Sequence, residues 1–350
     1  MHTETRIDVL TGRTVIIAAG RADRPLHVAT APVLSSAADD PFLEGHEHDT
    51  PDECLSLRQI GSPANEPGWL IRVVPNRYPA VAESAVTENS SRTTATGLHD
   101  VVIECPDHRV HLSQLSVAEL TRVLIAWQRR VQQISAIAPE RGIAAISVFR
   151  NEGYSAGASL PHCHSQILAT DFVGPQLCQR LYKAAAFRQQ HRKSLYDDWL
   201  MFERKNGRRV VFENEGLAVV CPFASRFAWQ TRFCPVGETS TAFCQLATDD
   251  LVHLAALMLC LLRSLEQTAG QIDHNLTLTL PPLQQPDAFP WMLDLMPRPS
   301  RVAGFELMTD VEIVTVTPET AARQLRDHAD RTALAISAAE IVPAGFDWRE

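Results

Sequence analysis

The sequence has no Cys-x-x-Cys pair, no apolar run long enough to cross a membrane, and no excess of positive charge. Its eight cysteines are scattered, which suits a reducing cytoplasm better than a disulfide framework. A formal net charge of -9 argues against bulk binding to nucleic acid or to an anionic membrane. The same charge still allows a local basic pocket that binds a small phosphorylated molecule.

The beginning of the chain also lacks a charged-then-apolar signal pattern, so we expect a cytoplasmic protein. The 45% hydrophobic and 21% charged residues are typical of an ordinary globular protein. With 350 residues the chain is long for a single core, which favours two domains or a fused double unit. These properties indicate an enzyme or a small-molecule binder.

The second half of the chain repeats the order of predicted helices and strands of the first half, without clear sequence identity. In the first half, Ser116 and Glu119 form a capping-box pattern before a helix, and the segments AAISVF and PHCHSQILA follow as strands. In the second half, Asp249 and Asp250 begin an apolar helix, and the strands NLTLTL and FPWMLDLMP follow. This repeated order predicts a distant internal duplication in which only the first half keeps reactive residues.

The segment SLPHCHSQILA places His162, His164 and Gln166 at alternate positions. Side chains of a β-strand repeat with a period of two, so these three are predicted to share one face. The pattern fits a metal site, a catalytic face or a polar strand edge. Histidine pairs on strands are more often structural or metal-binding than nucleophilic.

Several neighbouring features favour phosphate chemistry at this face. The turn GASLP offers backbone N–H groups and the Ser159 hydroxyl, and Arg21 and Arg24 are available to neutralise phosphate charge. A neutral imidazole is a good nucleophile toward phosphorus. Gln166 can hold a phosphoryl oxygen but is a poor acid, so the face suits group transfer better than hydrolysis.

The stretch FRNEGYSAGASLPHCHSQILA resembles the active-site segment of the galactose-1-phosphate uridylyltransferases, the transferase branch of the histidine-triad superfamily. The segments DVLTGRTVIIAAGRADRP, PFLEGHEHDTPDE, IRVVPNRYPAV, VVIECPDHRVHLSQLS, MPRPSRVAGFEL and TPETAARQLRD fall in the order of that family. The resemblance covers roughly residues 6 to 328, and its most specific element is His-x-His-x-Gln after the Asn-x-Gly turn.

The resemblance implies a role for each residue of the segment. His164 would attack the α-phosphorus of a nucleotide sugar, Gln166 would hold the phosphoryl group, and Ser159 would contact the substrate phosphates. The residues that would bind substrate are Asn76, Asn151, Gly157, Ala158, Arg21 and Arg24. From the residues alone, the asparagines and Ser159 also fit ordinary turns, and the two arginines also fit solvated loop charges.

The chain departs from the family at its metal sites. Many members bind a structural zinc through a Cys-x-x-Cys pair and two histidines, but Asp40 and Leu43 stand at the cysteine positions here. The two histidines remain, as His108 and His162. Leucine cannot ligate, and nothing in the spacing requires His46 or His48 to take its place, so we expect no cofactor and no structural zinc.

Two further departures concern the second metal site and the nucleotide base. Trp291 and Met292 occupy the stretch in which some relatives have a second His-x-His pair. Arg77 stands where some close uridylyltransferases have an acidic residue, which leaves the base of the nucleotide open.

The resemblance implies an α+β fold of two tandem histidine-triad-like units, each an antiparallel sheet with packed helices. We place a catalytic unit at residues 1–185 and a degenerate unit at residues 186–350. The expected reaction moves UMP between a UDP-sugar and a hexose 1-phosphate, with no nucleic acid or membrane partner and with a homodimer as one arrangement. The alternatives are adenylyl transfer or phosphorolysis on ADP-sugars or diadenosine-type nucleotides, and a catalytically silent nucleotide-binding protein.

Overall fold

A computed structural model describes residues 3–21, 39–83, 94–237, 240–329 and 341–350, except for the side chain of Arg21. Within these residues the chain forms a large sheet, a small sheet and six α-helices. The predicted α+β class is confirmed. All eight cysteines are free thiols, and among the described helices none has the length and apolar character needed to span a bilayer.

The large sheet has eleven strands in the order β14-β3-β4-β5-β7-β6-β11-β12-β10-β9-β8, and every neighbouring pair is antiparallel. The small sheet has the order β1-β2-β13. The strands are Thr3–Ile7 (β1), Thr14–Ala18 (β2), Leu55–Gln59 (β3), Trp69–Pro75 (β4), Gly97–Ile103 (β5), Ala145–Glu152 (β6), His164–Thr170 (β7), Val210–Glu213 (β8), Leu217–Val220 (β9), Thr231–Pro235 (β10), His274–Thr279 (β11), Met292–Pro297 (β12), Glu312–Val314 (β13) and Phe346–Arg349 (β14).

Helices pack against both faces of the large sheet. They are Val117–Arg141 (α1), Pro175–His191 (α2), Leu195–Asn206 (α3), Thr248–Ala269 (α4), Gly304–Thr309 (α5) and Pro318–Asp327 (α6). Helix α1 begins after Ser116, whose hydroxyl accepts the N–H of Glu119, so the predicted capping box is confirmed. The buried residues of α1 and α4 share one core cluster with the strands between them.

Strand β7 shows how this core positions the candidate site. Ser165, Ile167 and Ala169 face the helices, and Ser165 accepts a hydrogen bond of 2.7 Å from the indole nitrogen of Trp127 on α1. Because side chains alternate along a strand, His164 and Gln166 face the opposite, open side of the sheet. The apolar packing on one face therefore fixes which residues the other face presents.

The order of strands in the large sheet is nearly symmetric about the contact between β6 and β11. On one side of that contact the strands run β6-β7-β5-β4-β3, and on the other side they run β11-β12-β10-β9-β8, so four strands follow in matching order in each half. An internal duplication would produce this order of strands. The pairing of β6 with β11 joins both halves of the chain in one sheet. The boundary between residues 185 and 186 stays a prediction.

Candidate active site

His164 is the first residue of β7, and a hydrogen bond to the backbone two residues earlier holds its ring. Its Nδ1 lies 2.7 Å from the carbonyl oxygen of His162. A carbonyl can only accept, so Nδ1 carries the proton and Nε2 keeps a lone pair. Burial, together with the positive charges of Arg150 and His162, lowers the pKa of His164 to about 4. The ring is therefore a neutral imidazole with one free nitrogen at neutral pH.

The ring of Phe42 packs against both histidines of the motif. Its centroid lies 5.3 Å from the ring of His164 and 5.9 Å from the ring of His162, both edge to face. His162 precedes the strand and is fully buried, so the three residues of the motif are not all strand residues. The aromatic contact fixes the plane of the His164 ring and shields one side of it from water.

Gln166 is oriented by a residue that the sequence did not point to, His99 on β5. The backbone N–H of Ala80 donates to Nδ1 of His99 at 3.1 Å, so the proton of that ring is on Nε2. This Nε2 lies 2.8 Å from Oε1 of Gln166 and donates to it. The amide oxygen of Gln166 is thus occupied, and its NH2 group remains to donate to a phosphoryl oxygen.

Asn76 lies beside this pair, as the predicted site requires. Its Nδ2 is 3.3 Å from Nε2 of His99, and its Oδ1 accepts the backbone N–H of Tyr78 at 2.8 Å. The structure therefore brings Asn76, His99 and Gln166 together on the open face of the sheet. The role of Asn76 in binding substrate stays a prediction.

Replacing His99 by alanine is expected to lower kcat about tenfold, because the Gln166 amide loses the hydrogen bond that holds its NH2 group toward the phosphoryl position. The thermal midpoint should change little, since His99 is only half-buried. Steady-state kinetics and a melting curve test this. A rise in KM with kcat unchanged would show that His99 binds substrate and does not position Gln166.

The loop after β6 is anchored by the second half of the chain. Nδ2 of Asn275 donates to Oδ1 of Asn151 and to the carbonyl of Ala156, both at 2.8 Å. Asp273 accepts the N–H of Ser155 at 2.6 Å. Gly153 has a φ of +85°, and a Cβ there would lie 1.9 Å from Asp273, so only glycine fits this close approach. The sequence did not identify Asp273 or Asn275 as supports of the site.

The predicted phosphate cradle in this loop is only partly available. The N–H of Gly157 donates to Tyr154 at 3.0 Å, and the N–H of Ala158 donates to Gly153 at 3.1 Å. Both amides are thus used inside the turn, while Ser159 is exposed. Contacts of these three residues with substrate stay predictions, as do those of Arg24 and of the Arg21 side chain, which lie outside the described part of the chain.

A buried charge network lies beneath the nucleophile, on the helix side of the sheet. Arg150 is 2% exposed and contacts Glu104, Glu152 at 2.9 Å, and the carbonyl oxygen of His164 at 3.2 Å. Glu152 in turn accepts from His111 at 3.0 Å. Burial raises the pKa of Glu104 although Arg150 opposes this. The guanidinium therefore fixes the main chain of β7 at the nucleophile.

Asp40, His108 and His162 form a cluster at the position where the family has its structural zinc. Oδ2 of Asp40 lies 2.6 Å from Nδ1 of His108 and 2.7 Å from Nδ1 of His162. A tetrahedral zinc with bonds of about 2.0 Å holds its ligand atoms about 3.3 Å apart. Burial disfavours the charge of Asp40, but the hydrogen bonds from the two histidines outweigh it and lower its pKa to about 2.

The other candidate ligands do not complete a zinc site. Leu43 has no ligand atom, and Nδ1 of His46 is 2.8 Å from the backbone carbonyl of Asp40. Nε2 of His162 lies 2.9 Å from the carbonyl of Cys105. Within the described part of the chain, Asp40, His108 and His162 supply three ligand atoms and Leu43 supplies none, so they fit a hydrogen-bonded cluster, in which the Asp40 carboxylate links the two histidines, better than the tetrahedral zinc that the resemblance implies.

We therefore expect purified protein to contain well under one zinc per chain, and a chelator to shift the thermal midpoint by less than about 1 °C. Replacing Asp40 by asparagine should lower the midpoint by several degrees, because the buried His162 and the partly buried His108 lose an ionised acceptor. Elemental analysis and melting curves test both statements. One tightly held zinc per chain would contradict them.

Comparison with known proteins agrees with this geometry. The family model "Galactose-1-phosphate uridyl transferase, N-terminal domain" matches residues 1–174. An ADP-glucose phosphorylase of Arabidopsis thaliana is 31% identical over 341 residues, which are 93% of this chain and 92% of that protein. The chain belongs to the galactose-1-phosphate uridylyltransferase family. The resemblance seen in the sequence is thereby confirmed, and with it an enzyme of the nucleotidyltransferase and phosphorylase type.

Other relatives and solved structures extend the comparison. A galactose-1-phosphate uridylyltransferase of Thermotoga maritima is 24% identical over 72% of this chain and 82% of its own length. A crystal structure of an Arabidopsis thaliana ADP-glucose phosphorylase with bound ADP-glucose superposes with a TM-score of 0.77 and 30% identity, over 93% of this chain and 99% of that one. A uridylyltransferase structure with a TM-score of 0.70 and 24% identity, over 93% of this chain and 98% of that one, shares the fold.

Proposed function

We propose that this enzyme transfers a nucleotidyl group through a covalent intermediate on His164. Nε2 attacks the α-phosphorus of a nucleotide sugar, a P–N bond forms, and the P–O bond to the sugar 1-phosphate breaks. An acceptor phosphate oxygen then attacks the same phosphorus, and the P–N bond breaks in turn. The observation that supports this most directly is the Nδ1 bond of His164 to the carbonyl of His162, which leaves Nε2 free and the ring neutral.

The surroundings of His164 favour transfer over hydrolysis. The NH2 group of Gln166 can hold a phosphoryl oxygen, but an amide cannot deliver or remove a proton at neutral pH. Both ring nitrogens of His99 are engaged, Nε2 with Gln166 and Nδ1 with Ala80, so neither is free to activate water. The intermediate would then persist until a phosphate acceptor arrives.

Two pairs of substrates suit this chemistry. A UDP-sugar with a hexose 1-phosphate is the pair that the family model and the Thermotoga relative support. An ADP-sugar with orthophosphate is the pair that the Arabidopsis relative supports, through higher identity over more of the chain. Because 31% identity over 93% of this chain outweighs 24% over 72%, we place the ADP-sugar pair first and keep the UDP-sugar pair as the second candidate.

The test is incubation with ADP-glucose or UDP-glucose labelled at the α-phosphate, followed by detection of acid-labile, base-stable label on the protein. We expect label from ADP-glucose, released by orthophosphate as labelled ADP. Label from UDP-glucose alone, released by galactose 1-phosphate, would move the assignment to the uridylyl reaction. Binding of both nucleotides without any label would show a silent nucleotide-binding protein and contradict the proposal.

A further inference from the structure

A cavity of about 360 Å³ opens on the same face of the sheet as His164 and extends from β6, the strand beside β7, to β12. Asp294 on β12 pairs with Thr277, which pairs with Phe149, which pairs with Gln166 on β7. Three strand spacings of about 4.8 Å separate β7 from β12, or about 14 Å. A phosphate held by Arg180 and Arg232 beside Asp294, at the end of the cavity away from β7, is therefore too far from His164 to be attacked by it.

Two buried arginines, Arg180 and Arg232, line this cavity together with the carboxylates of Asp8 and Asp294, and only Arg232 forms an ion pair with one of them. Nε of Arg232 donates to Oδ1 of Asp294 at 2.9 Å, while Nη1 of Arg232 is buried and has no hydrogen-bond partner among the described residues. Arg180 on α2 donates to the sulfur of Met292 at 2.9 Å, and a thioether is only a weak acceptor. In the described part of the chain, no carboxylate forms an ion pair with Arg180.

The other two arginines that line the cavity, Arg13 and Arg226, do have a carboxylate partner. Arg13 and Arg226 both contact Glu312, at 3.2 Å and 2.6 Å. Arg180 and Arg232 are 9% and 5% exposed, so water compensates little of their charge. Burial, with the adjacent charge of Arg232, lowers the pKa of Arg180 to about 10, so Arg180 is still a cation at neutral pH. An uncompensated buried charge is costly, and a bound anion would remove that cost.

We propose that this cavity is a second anion site, in which Arg180 and the free Nη1 of Arg232 hold the phosphate group of a small phosphorylated molecule. Two guanidinium groups match the charge and oxygen geometry of a phosphate dianion. The polar walls include Gln176, Gln230 and Thr279, which can bond the hydroxyl groups of an attached sugar. The volume lies in the range of small-molecule sites. The ligand acts as an effector and not as a reactant.

The probe is inorganic phosphate, added to wild-type protein with ADP held at a saturating concentration so that the catalytic site is filled. We expect the thermal midpoint to rise by about 3 °C when phosphate reaches about a hundred times its dissociation constant. Arg180→Met should raise the phosphate-free midpoint, because it removes an unpaired buried charge, and should abolish the response to phosphate. Arg188→Met, which replaces an exposed arginine of the same helix, should respond as wild type does.

Two results would overturn the proposal. One is an equal response to phosphate in wild type and Arg180→Met, and the other is a response of wild type to potassium chloride of the same ionic strength that matches the response to phosphate. If Arg180→Met does not fold, Arg180→Lys keeps the charge without the planar fork, and its phosphate affinity should fall about tenfold. Orthophosphate is also the proposed acceptor at the catalytic site, so the difference between wild type and Arg180→Met, and not the wild-type response alone, reports on this cavity.

Discussion

Replacing His164 by alanine is expected to abolish formation of the nucleotidyl-enzyme and to lower the transfer rate by about 10⁴-fold or more, because no other group can carry the nucleotide. Nucleotide binding should remain measurable, since the loop held by Asp273 and Asn275 does not contact the His164 ring. The measurement is uptake of label from the α-phosphate, with binding followed separately by calorimetry.

The matched control is His253→Ala, which removes an exposed histidine of α4 and should leave labelling and transfer at the wild-type level. His162→Ala should lower stability together with activity, because it removes one of the two histidines linked by Asp40. Label that still forms in His164→Ala but not in His162→Ala would show that the nucleophile is His162 and not His164.

Replacing Arg150 by methionine is expected to destabilise the fold by about 3–5 kcal/mol, because Glu104 and Glu152 would stay buried without their shared counter-charge. The loss should be largest at neutral pH and smaller at low pH. In the native protein, burial acts to raise the pKa of Glu152, but the nearby His274, the hydrogen bond from His111 and the Arg150 charge outweigh it and keep that pKa low. Without Arg150 the carboxyls must take up protons to remain buried, and acid supplies them.

Denaturant unfolding of Arg150→Met at two pH values tests this, with Arg263→Met as the control. Arg263 is an exposed residue of α4, and its replacement should change the free energy of unfolding by no more than about 0.5 kcal/mol. A loss below about 1 kcal/mol for Arg150→Met would show that the network is not needed for stability. In that case the contact of Arg150 with the His164 carbonyl should still be visible as a lower labelling rate.

The sequence by itself determined the features that depend on residues only a few positions apart. Ser116 and Glu119 are three positions apart, and their mutual capping needs no distant partner. His164 and Gln166 share a face because the period of a strand is two. Leu43 cannot ligate a metal, by its chemistry alone. The motif around His164 was therefore sufficient to identify the family and the candidate nucleophile.

The tertiary structure alone decided how these residues are supported. His99 meets Gln166 across 67 positions of sequence, and Asp40 meets His162 across 122, so no local pattern could pair them. Arg150 and Glu152 are charged residues in line with the apolar Ile146 and Val148, and only the buried Glu104 on a neighbouring segment explains that placement. Arg180 and Arg232 lie on different elements, and they become a candidate anion site only because folding buries both in one cavity.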